Sequence, residues 1–324
     1  MIDMDRQFTQ QVQQFAQIAS GFRASRVVMT ANNLGVFDRV GKGVAAPELA
    51  KVLNTDPRAT EILLDAVTAL GLLRKSRGIY RLTAMSKQFL LPESPWYQSD
   101  MLRHLDALWL SWSGLDDVVR TGMPNRSGGR RHGVFIRAMH NNAVLRVESV
   151  LKALDLRGVK RALDLGGGPG TYGIALAKRG IEVTLFDLPN TVEIAHEMIR
   201  KSGVKNVTFQ GGDFHFDDIG SGYDLVLLSQ VLHSHSALEN LALLGKAFDA
   251  LAPKGTDAIH EFALAEDHAS PVPGALFSVN MLVNTTEGRS YSPREMTGWL
   301  TKVGFRGIKK VILGDTVVMT GRKK

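Results

Sequence analysis

Apolar positions in the first 90 residues recur with helical period, with one short exception. Phe8, Val12, Phe15, Ile18, Ala19 and Phe22 fall on one stripe of a single long opening helix, and such a stripe needs a partner surface. The period continues through residues 46–53, breaks at Asn54-Thr55-Asp56 and resumes behind Pro57, a residue suited to a first helical position. It predicts a second helix from Arg58 to about Leu73, so the pair reads as a helix-turn-helix. Arg74 to Thr83 then reads as two short strands turning at Gly78, which makes the unit a winged helix in outline. Residues 91–156 return to helical period around Trp96, Trp109 and Trp112 and are interrupted by a loop from Thr121 to Arg131. We read this stretch as a connector that supplies part of a pocket roof.

From Val159 onward the pattern changes to buried strands alternating with helices. Strands are expected at Arg161–Leu165, Val183–Phe186, Val207–Gln210, Leu225–Ser229 and Ala258–Phe262, the signature of a parallel, doubly wound α/β sheet. Gly307–Leu313 and Thr316–Thr320, turning at Gly314-Asp315, read as a closing hairpin that adds an antiparallel strand. The expected division is 1–95 winged helix, 96–157 helical connector and 158–324 ligand-binding domain.

A chain of 324 residues is long for one hydrophobic core, which stops growing near roughly 250 to 300 residues. With 44% hydrophobic and 22% charged residues, fibrous and disordered classes are excluded. No apolar run approaches the roughly 20 residues of a bilayer span, and Met1 to Arg6 lack a secretion signal, so a cytoplasmic protein without a membrane partner is expected. The absence of cysteine excludes disulfides, thiolate metal sites and a cysteine nucleophile, leaving chemistry to His, Asp, Glu, Ser or a bound cofactor.

The net charge of +7 and the winged helix raise a second reading, a DNA-binding regulator. The outer face of the candidate recognition helix offers Arg58, Glu61, Asp65 and Thr68, and carboxylates there repel phosphates. Arg74, Lys75, Arg77 and Arg81 in the wing, with Arg126, Arg130 and Arg131 in the loop, read as solvated surface or as contacts to an acidic substrate. No nucleic-acid partner is expected.

Asp164-Leu165-Gly166-Gly167-Gly168-Pro169-Gly170-Thr171 follows a strand and opens a helix, where bare backbone can approach a nucleotide-like ligand. Gly168, Gly170 and Gly173 satisfy a dinucleotide spacing, and Asp187, nineteen residues past Gly168, can hold the ribose hydroxyls of NAD. Asp164 ahead of the glycines, an acid in Gly211-Gly212-Asp213-Phe214 and the terminal hairpin favour S-adenosylmethionine (SAM) instead. SAM has no pyrophosphate to cradle, so carboxylates can line its cationic and ribose parts.

Gly166 to Thr171, Phe186-Asp187-Leu188-Pro189, Gly211 to Phe214, Val231-Leu232-His233 and Asn280-Met281-Leu282 together resemble the SAM-dependent O-methyltransferases typified by plant caffeate and bacterial hydroxyneurosporene O-methyltransferases. The resemblance spans nearly the whole chain. It implies a Rossmann-like methyltransferase domain behind an N-terminal all-helical winged-helix dimerisation domain, and therefore a homodimer. It also implies that Gly166, Gly167 and Gly168 meet the methionine end of SAM, that Asp187 with Leu188 holds the ribose, and that Asp213 and Phe214 flank adenine. Ser229 matches a position whose backbone contacts the cofactor in plant members. Met139, Phe277, Met281 and Asn284 fall in segments that line the acceptor pocket of relatives.

His233 is the histidine of the family motif, although Ser234-His235-Ser236-Ala237 here replaces the plant Asp-Trp-Ser-Asp. Methyl transfer is an in-line displacement helped by deprotonating the acceptor oxygen, and His233 is placed to be the base at the carboxyl edge of the sheet. Glu261 ends the next strand and can accept a hydrogen bond from one ring nitrogen, and its spacing of 28 from His233 agrees with a family glutamate that flanks the base. The second flanking glutamate of plant members falls near Ser290, with Glu287 out of register. The plain alternative for His233 is a satisfied polar residue at a strand end. No nearby carboxylate or third histidine has familiar ligand spacing to His233 and His235, so no metal is expected. His196, His215, His260 and His268 are given no role. The combined reading is a homodimeric O-methyltransferase acting on a small hydroxylated aromatic, polyketide, carotenoid or quinone-like acceptor, with C-methylation or a non-methylating SAM chemistry as the alternative.

Overall fold

The structure is a computed structural model that describes residues 2–125 and 132–324, so Arg126, Arg130 and Arg131 lie outside the described residues. The chain divides into two compact units, Met1–Asp106 and Ala107–Lys324.

The first unit opens with α1 (Ile2–Asn33) and α2 (Val36–Val40), followed by β1 (Val44–Ala45), α3 (Ala46–Leu53) and α4 (Pro57–Ala69). The wing is β2 (Leu73–Ser76) and β3 (Ile79–Leu82), and α5 (Ala84–Phe89) and α6 (Ser99–Ser113) follow. Helix α4 starts where Asp56 accepts the Ala59 N–H at 2.7 Å and Pro57 supplies a helical φ. It ends at Ala69, short of the expected Leu73, because Gly71 turns the chain at φ +78° and Leu73 enters β2. Arg77 and Gly78, both at positive φ, make the two-residue turn that pairs Leu73 with Leu82 and Ser76 with Ile79. β1 pairs with β3 as a third strand, so the unit is mostly helical rather than all-helical. Two residues are too short to announce a strand by alternation.

Phe37, Leu49, Leu64, Leu73 and Tyr80 fill the core of this unit. Burying side chains of that size stabilises a fold by roughly 1.5–3 kcal/mol each, and this sets the inner faces of α3 and α4. Along the stripe on α1, Phe15 is 73% exposed and Ile18 74%. Lys75 reaches from the wing to Asp65 at 2.8 Å and Glu61 at 3.3 Å, so the acidic face of α4 is bridged to the wing.

The second unit continues with α7 (Leu115–Thr121), α8 (His132–Val144), α9 (Val147–Ala153), β4 (Arg161–Leu165), α10 (Thr171–Ala177) and β5 (Glu182–Asp187). Next come α11 (Pro189–Ser202), β6 (Val207–Gly211), β7 (Tyr223–Ser229), α12 (Ala237–Ala250) and β8 (Leu251–Phe262). The chain closes with α13 (Val272–Asn284), α14 (Pro293–Val303), β9 (Arg306–Leu313) and β10 (Thr316–Arg322). The seven strands lie in the order β6-β5-β4-β7-β8-β10-β9, with only β10 antiparallel to its neighbours. Strand order reverses between β4 and β7, which puts a ligand crevice at the carboxyl ends of these two strands. Leu163, Leu165, Leu225 and Leu227 are buried, as both faces of the sheet carry helices.

Candidate active site

The glycine loop leaves β4 under tight backbone control. The N–H groups of Gly166 and Gly167 donate to the Phe186 carbonyl at 2.9 and 3.2 Å, tying the loop to β5. Asp164 lies beneath it and accepts the Gly173 N–H at 2.9 Å, and burial pushes its pKa up to about 7. A side-chain carbon at Gly167 would stand 2.9 Å from the Asp164 carboxyl carbon. Asp164 therefore supports the loop from inside, where the sequence had suggested a carboxylate lining the ligand.

Above the loop, Gly168 at φ +53° donates its N–H to Asp187 Oδ2 at 2.8 Å, and the Leu188 N–H donates to Oδ1 at 2.7 Å. A side-chain carbon at Gly168 would enter open space, so bare backbone faces the crevice there. Burial raises the pKa of Asp187 while these two N–H groups hold it down. At the end of β6, Asp213 accepts the His215 N–H at 2.9 Å and donates its own N–H to Asp217 at 2.7 Å. Lys246 donates to the carbonyls of Phe214 and Asp217 at 2.6 and 2.7 Å, which fixes the turn carrying Asp213 and Phe214. Gly166, Gly167, Gly168, Asp187, Leu188, Asp213 and Phe214 thus sit on the ends of β4, β5 and β6.

His233 lies in a short 3₁₀ turn, Leu232–Ser234, beyond β7. Glu261, near the end of β8, meets it with both oxygens: Oε2 lies 2.8 Å from His233 Nδ1, while Oε1 accepts the Leu232 N–H at 2.8 Å and the His233 N–H at 3.4 Å. The side chains are 11% and 4% exposed. A carboxylate facing Nδ1 assigns the ring proton to that nitrogen and leaves a lone pair on Nε2, which has no hydrogen-bond partner among the described residues. Ser290, at the position of the second family glutamate, is buried and donates to the Gly274 carbonyl at 3.0 Å, and Glu287 is exposed. Among the described residues, acid support for His233 comes from one side, through Glu261.

Phe277 meets the His233 ring edge-on at 4.8 Å, and Phe262 packs on Phe277 at 4.0 Å between ring centroids. Phe262 was not foreseen, although its place at the end of β8, one residue past Glu261, was a usable signal. Met281 is buried on α13. The Asn284 amide donates to the Asn280 carbonyl at 2.8 Å and to Asn280 Oδ1 at 3.1 Å, and Trp112 donates to that same Oδ1 at 3.0 Å. Met139 is half-buried on α8, with no ring contact or hydrogen bond to His233. Ser229 Oγ lies 2.9 Å from Nδ1 of fully buried His260, which Tyr172 approaches at 3.3 Å. His260, given no role from the sequence, thus fixes the end of β7. A histidine interrupting the apolar run of β8 was the available sign.

Comparison with known proteins places this geometry. Residues 121–306 match the O-methyltransferase domain, and residues 16–92 match the O-methyltransferase dimerisation domain. The chain belongs to the O-methyltransferase family. This O-methyltransferase is 33% identical to 3-hydroxy-5-methyl-1-naphthoate 3-O-methyltransferase of Streptomyces sahachiroi, over 91% of this chain and 89% of the relative. It is 30% identical to the tetracenomycin polyketide synthesis 8-O-methyl transferase of Streptomyces glaucescens, over 95% of each chain. Its fold matches the crystal structure of human N-acetylserotonin methyltransferase in complex with SAM at a TM-score of 0.89 and 29% identity, covering 97% of this chain and 98% of that one. It is a SAM-dependent enzyme, and its own residues fit that cofactor: bare backbone at Gly168 faces the crevice, and Asp187 is anchored beside it. No helix among the described residues is long and apolar enough to cross a membrane.

One cluster departs from the sequence reading. The rings of His215 and His235 meet at 4.8 Å between centroids, and Phe214 packs against both. Ligand atoms of His215, His235 and Glu239 lie within 4.8 Å of one another, so a carboxylate and a third histidine do stand near His233-Ser234-His235. The four-residue step from His235 to Glu239 was legible, but the approach of His215 from the β6 side was not.

Proposed function

We propose that His233 is the general base for methylation of a hydroxyl on a flat, small aromatic or polyketide-like acceptor, and that the enzyme works as a cytoplasmic homodimer. The observation that carries this reading is the buried His233–Glu261 pair with Nε2 left over, beside the Phe262–Phe277 wall. When bound, SAM supplies an electrophilic methyl group on a sulfonium, and S-adenosylhomocysteine (SAH) remains after transfer. His233 Nε2 takes the proton of the acceptor hydroxyl as that oxygen forms its bond to carbon, and Glu261 holds the ring in the required tautomer and stabilises the imidazolium. Gly166, Gly167 and Gly168 would meet the methionine end, Asp187 and Leu188 the ribose, and Asp213 and Phe214 the adenine, with the Ser229 backbone at the crevice floor. Phe277, Met281, Met139 and Asn284 would shape the acceptor pocket, Met adapting to a flat ring.

Named relatives acting on a naphthoate and in tetracenomycin polyketide synthesis support a fused-ring acceptor. The exposed stripe on α1, beside a match to a dimerisation domain, supports the homodimer. Calorimetric titration with SAH and separately with NADH tests the cofactor site. SAH binding that weakens at least tenfold in Asp187→Ala, with no NADH heat, is the expected result. NADH binding, or SAH binding indifferent to Asp187, overturns the cofactor assignment.

A further inference from the structure

We propose that His215, His235 and Glu239 form a binding site for a divalent transition metal of the zinc type, beside the turn that carries Asp213 and Phe214. Two imidazoles and one carboxylate are a familiar ligand set for zinc, with a fourth position left for water or another ligand. Their ligand atoms already lie within 4.8 Å of one another. A tetrahedral ion with bonds of about 2.0–2.1 Å needs ligand atoms about 3.4 Å apart, a closure reached by small side-chain rotations. Glu239 is on the exposed rim and can make that adjustment.

The ligands are available. No ring nitrogen of His215 or His235 has a hydrogen-bond partner among the described residues. Glu239 Oε2 accepts the Ser236 N–H at 2.8 Å in a capping box, which orients the side chain and leaves Oε1 for a metal. The backbones are held as well. The His235 carbonyl accepts from the Tyr291 hydroxyl at 2.5 Å and from Asn240 at 3.4 Å. On the other side, the His215 N–H is bound by Asp213, and Lys246 spends its ammonium on the Phe214 and Asp217 carbonyls. Two turns that are far apart in sequence are thus held near each other, one of them through Lys246 of α12, with their imidazole rings meeting edge to face. A bound ion would add a second tie, at the start of α12, to the one Lys246 already makes with the turn after β6.

The test uses tag-free, full-length protein stripped of metal and titrated with zinc against a chromogenic chelator. One zinc per chain is expected, with affinity lower by at least tenfold in His215→Ala and in His235→Ala. Glu239→Gln, which keeps the helix cap, is expected to bind more weakly than the wild type. Exposed His196, next to Phe209, is the control, and His196→Ala should bind as the wild type does. A loss smaller than tenfold in both histidine variants, or an equal loss in His196→Ala, overturns the site. Cobalt added to the wild type gives an answer that does not depend on variant folding: visible ligand-field absorption at one equivalent supports the site, and its absence overturns it.

Discussion

Glu261 holds His233 by ring and by backbone at once, with Oε2 2.8 Å from Nδ1 and Oε1 3.4 Å from the His233 N–H. The carboxylate therefore sets both the tautomer of the imidazole and the path of the turn that carries it. Glutamine at 261 can still accept the backbone N–H groups, but its amide would donate to Nδ1 and move the ring proton to Nε2, which removes the acceptor lone pair. Glu261→Gln is expected to lower kcat by about 10²-fold or more with little change in SAH affinity, as is His233→Ala. Single-turnover rates alongside SAH titrations check this. Wild-type turnover in His233→Ala would remove the base assignment.

Phe277 packs against the rings of His233 and Phe262. Phe277→Ala is expected to raise KM for a flat acceptor by up to about tenfold while leaving KM for SAM within twofold, the removal of one aromatic pair being worth roughly 0.5–1.5 kcal/mol. Steady-state kinetics with each reactant varied in turn separates the two.

Burial lowers the His260 pKa from 6.5 to about 4, so the folded state binds its proton less readily than the unfolded chain. The stability this group contributes is present above about pH 6.5 and is lost as pH falls through about 4, a swing of roughly 3 kcal/mol. Urea unfolding of His260→Gln between pH 7 and pH 4 should show a shallower loss than the wild type. Asp164 and Asp257, both raised by burial, act in the opposite sense and erode stability as pH rises above about 4, so the His260 contribution has to be read as a difference between variant and wild type.

A charge placed on the α1 stripe should prevent two copies from covering it. Phe15→Asp with Ile18→Asp is expected to shift the mass seen by light scattering from dimer to monomer, with unchanged SAH affinity. A wild-type monomer would count against the homodimer.

Much of the second unit was legible because strand and helix periods are local. Arg161–Leu165 coincides with β4, and the closing hairpin falls within a residue or two of its expected bounds. The meeting of His233 with Glu261 was legible because His233 follows β7 and Glu261 lies near the end of β8, two neighbouring parallel strands. The end of α4 was misplaced because Gly71, rather than the apolar pattern that runs on to Leu73, decides it. The inward turn of Asp164, the pairing of Ser229 with His260 and the meeting of His215 with His235 are products of tertiary packing, and no spacing along the chain encodes them.

Two glycines set the frame of the segment that packs beside His233. A side-chain carbon at Gly274, near the start of α13, would collide with the Ala263 carbonyl, and one at Gly288 would collide with the carbonyl of His233 itself. The segment bearing Phe277 and Met281 is thus seated on the backbone of His233 at one end and on the residue that follows β8 at the other. With His233 as the proposed base, substrate preference can drift by exchange of side chains between those two seats while Nε2 stays where it is, so a new acceptor can be gained without rebuilding the His233–Glu261 pair.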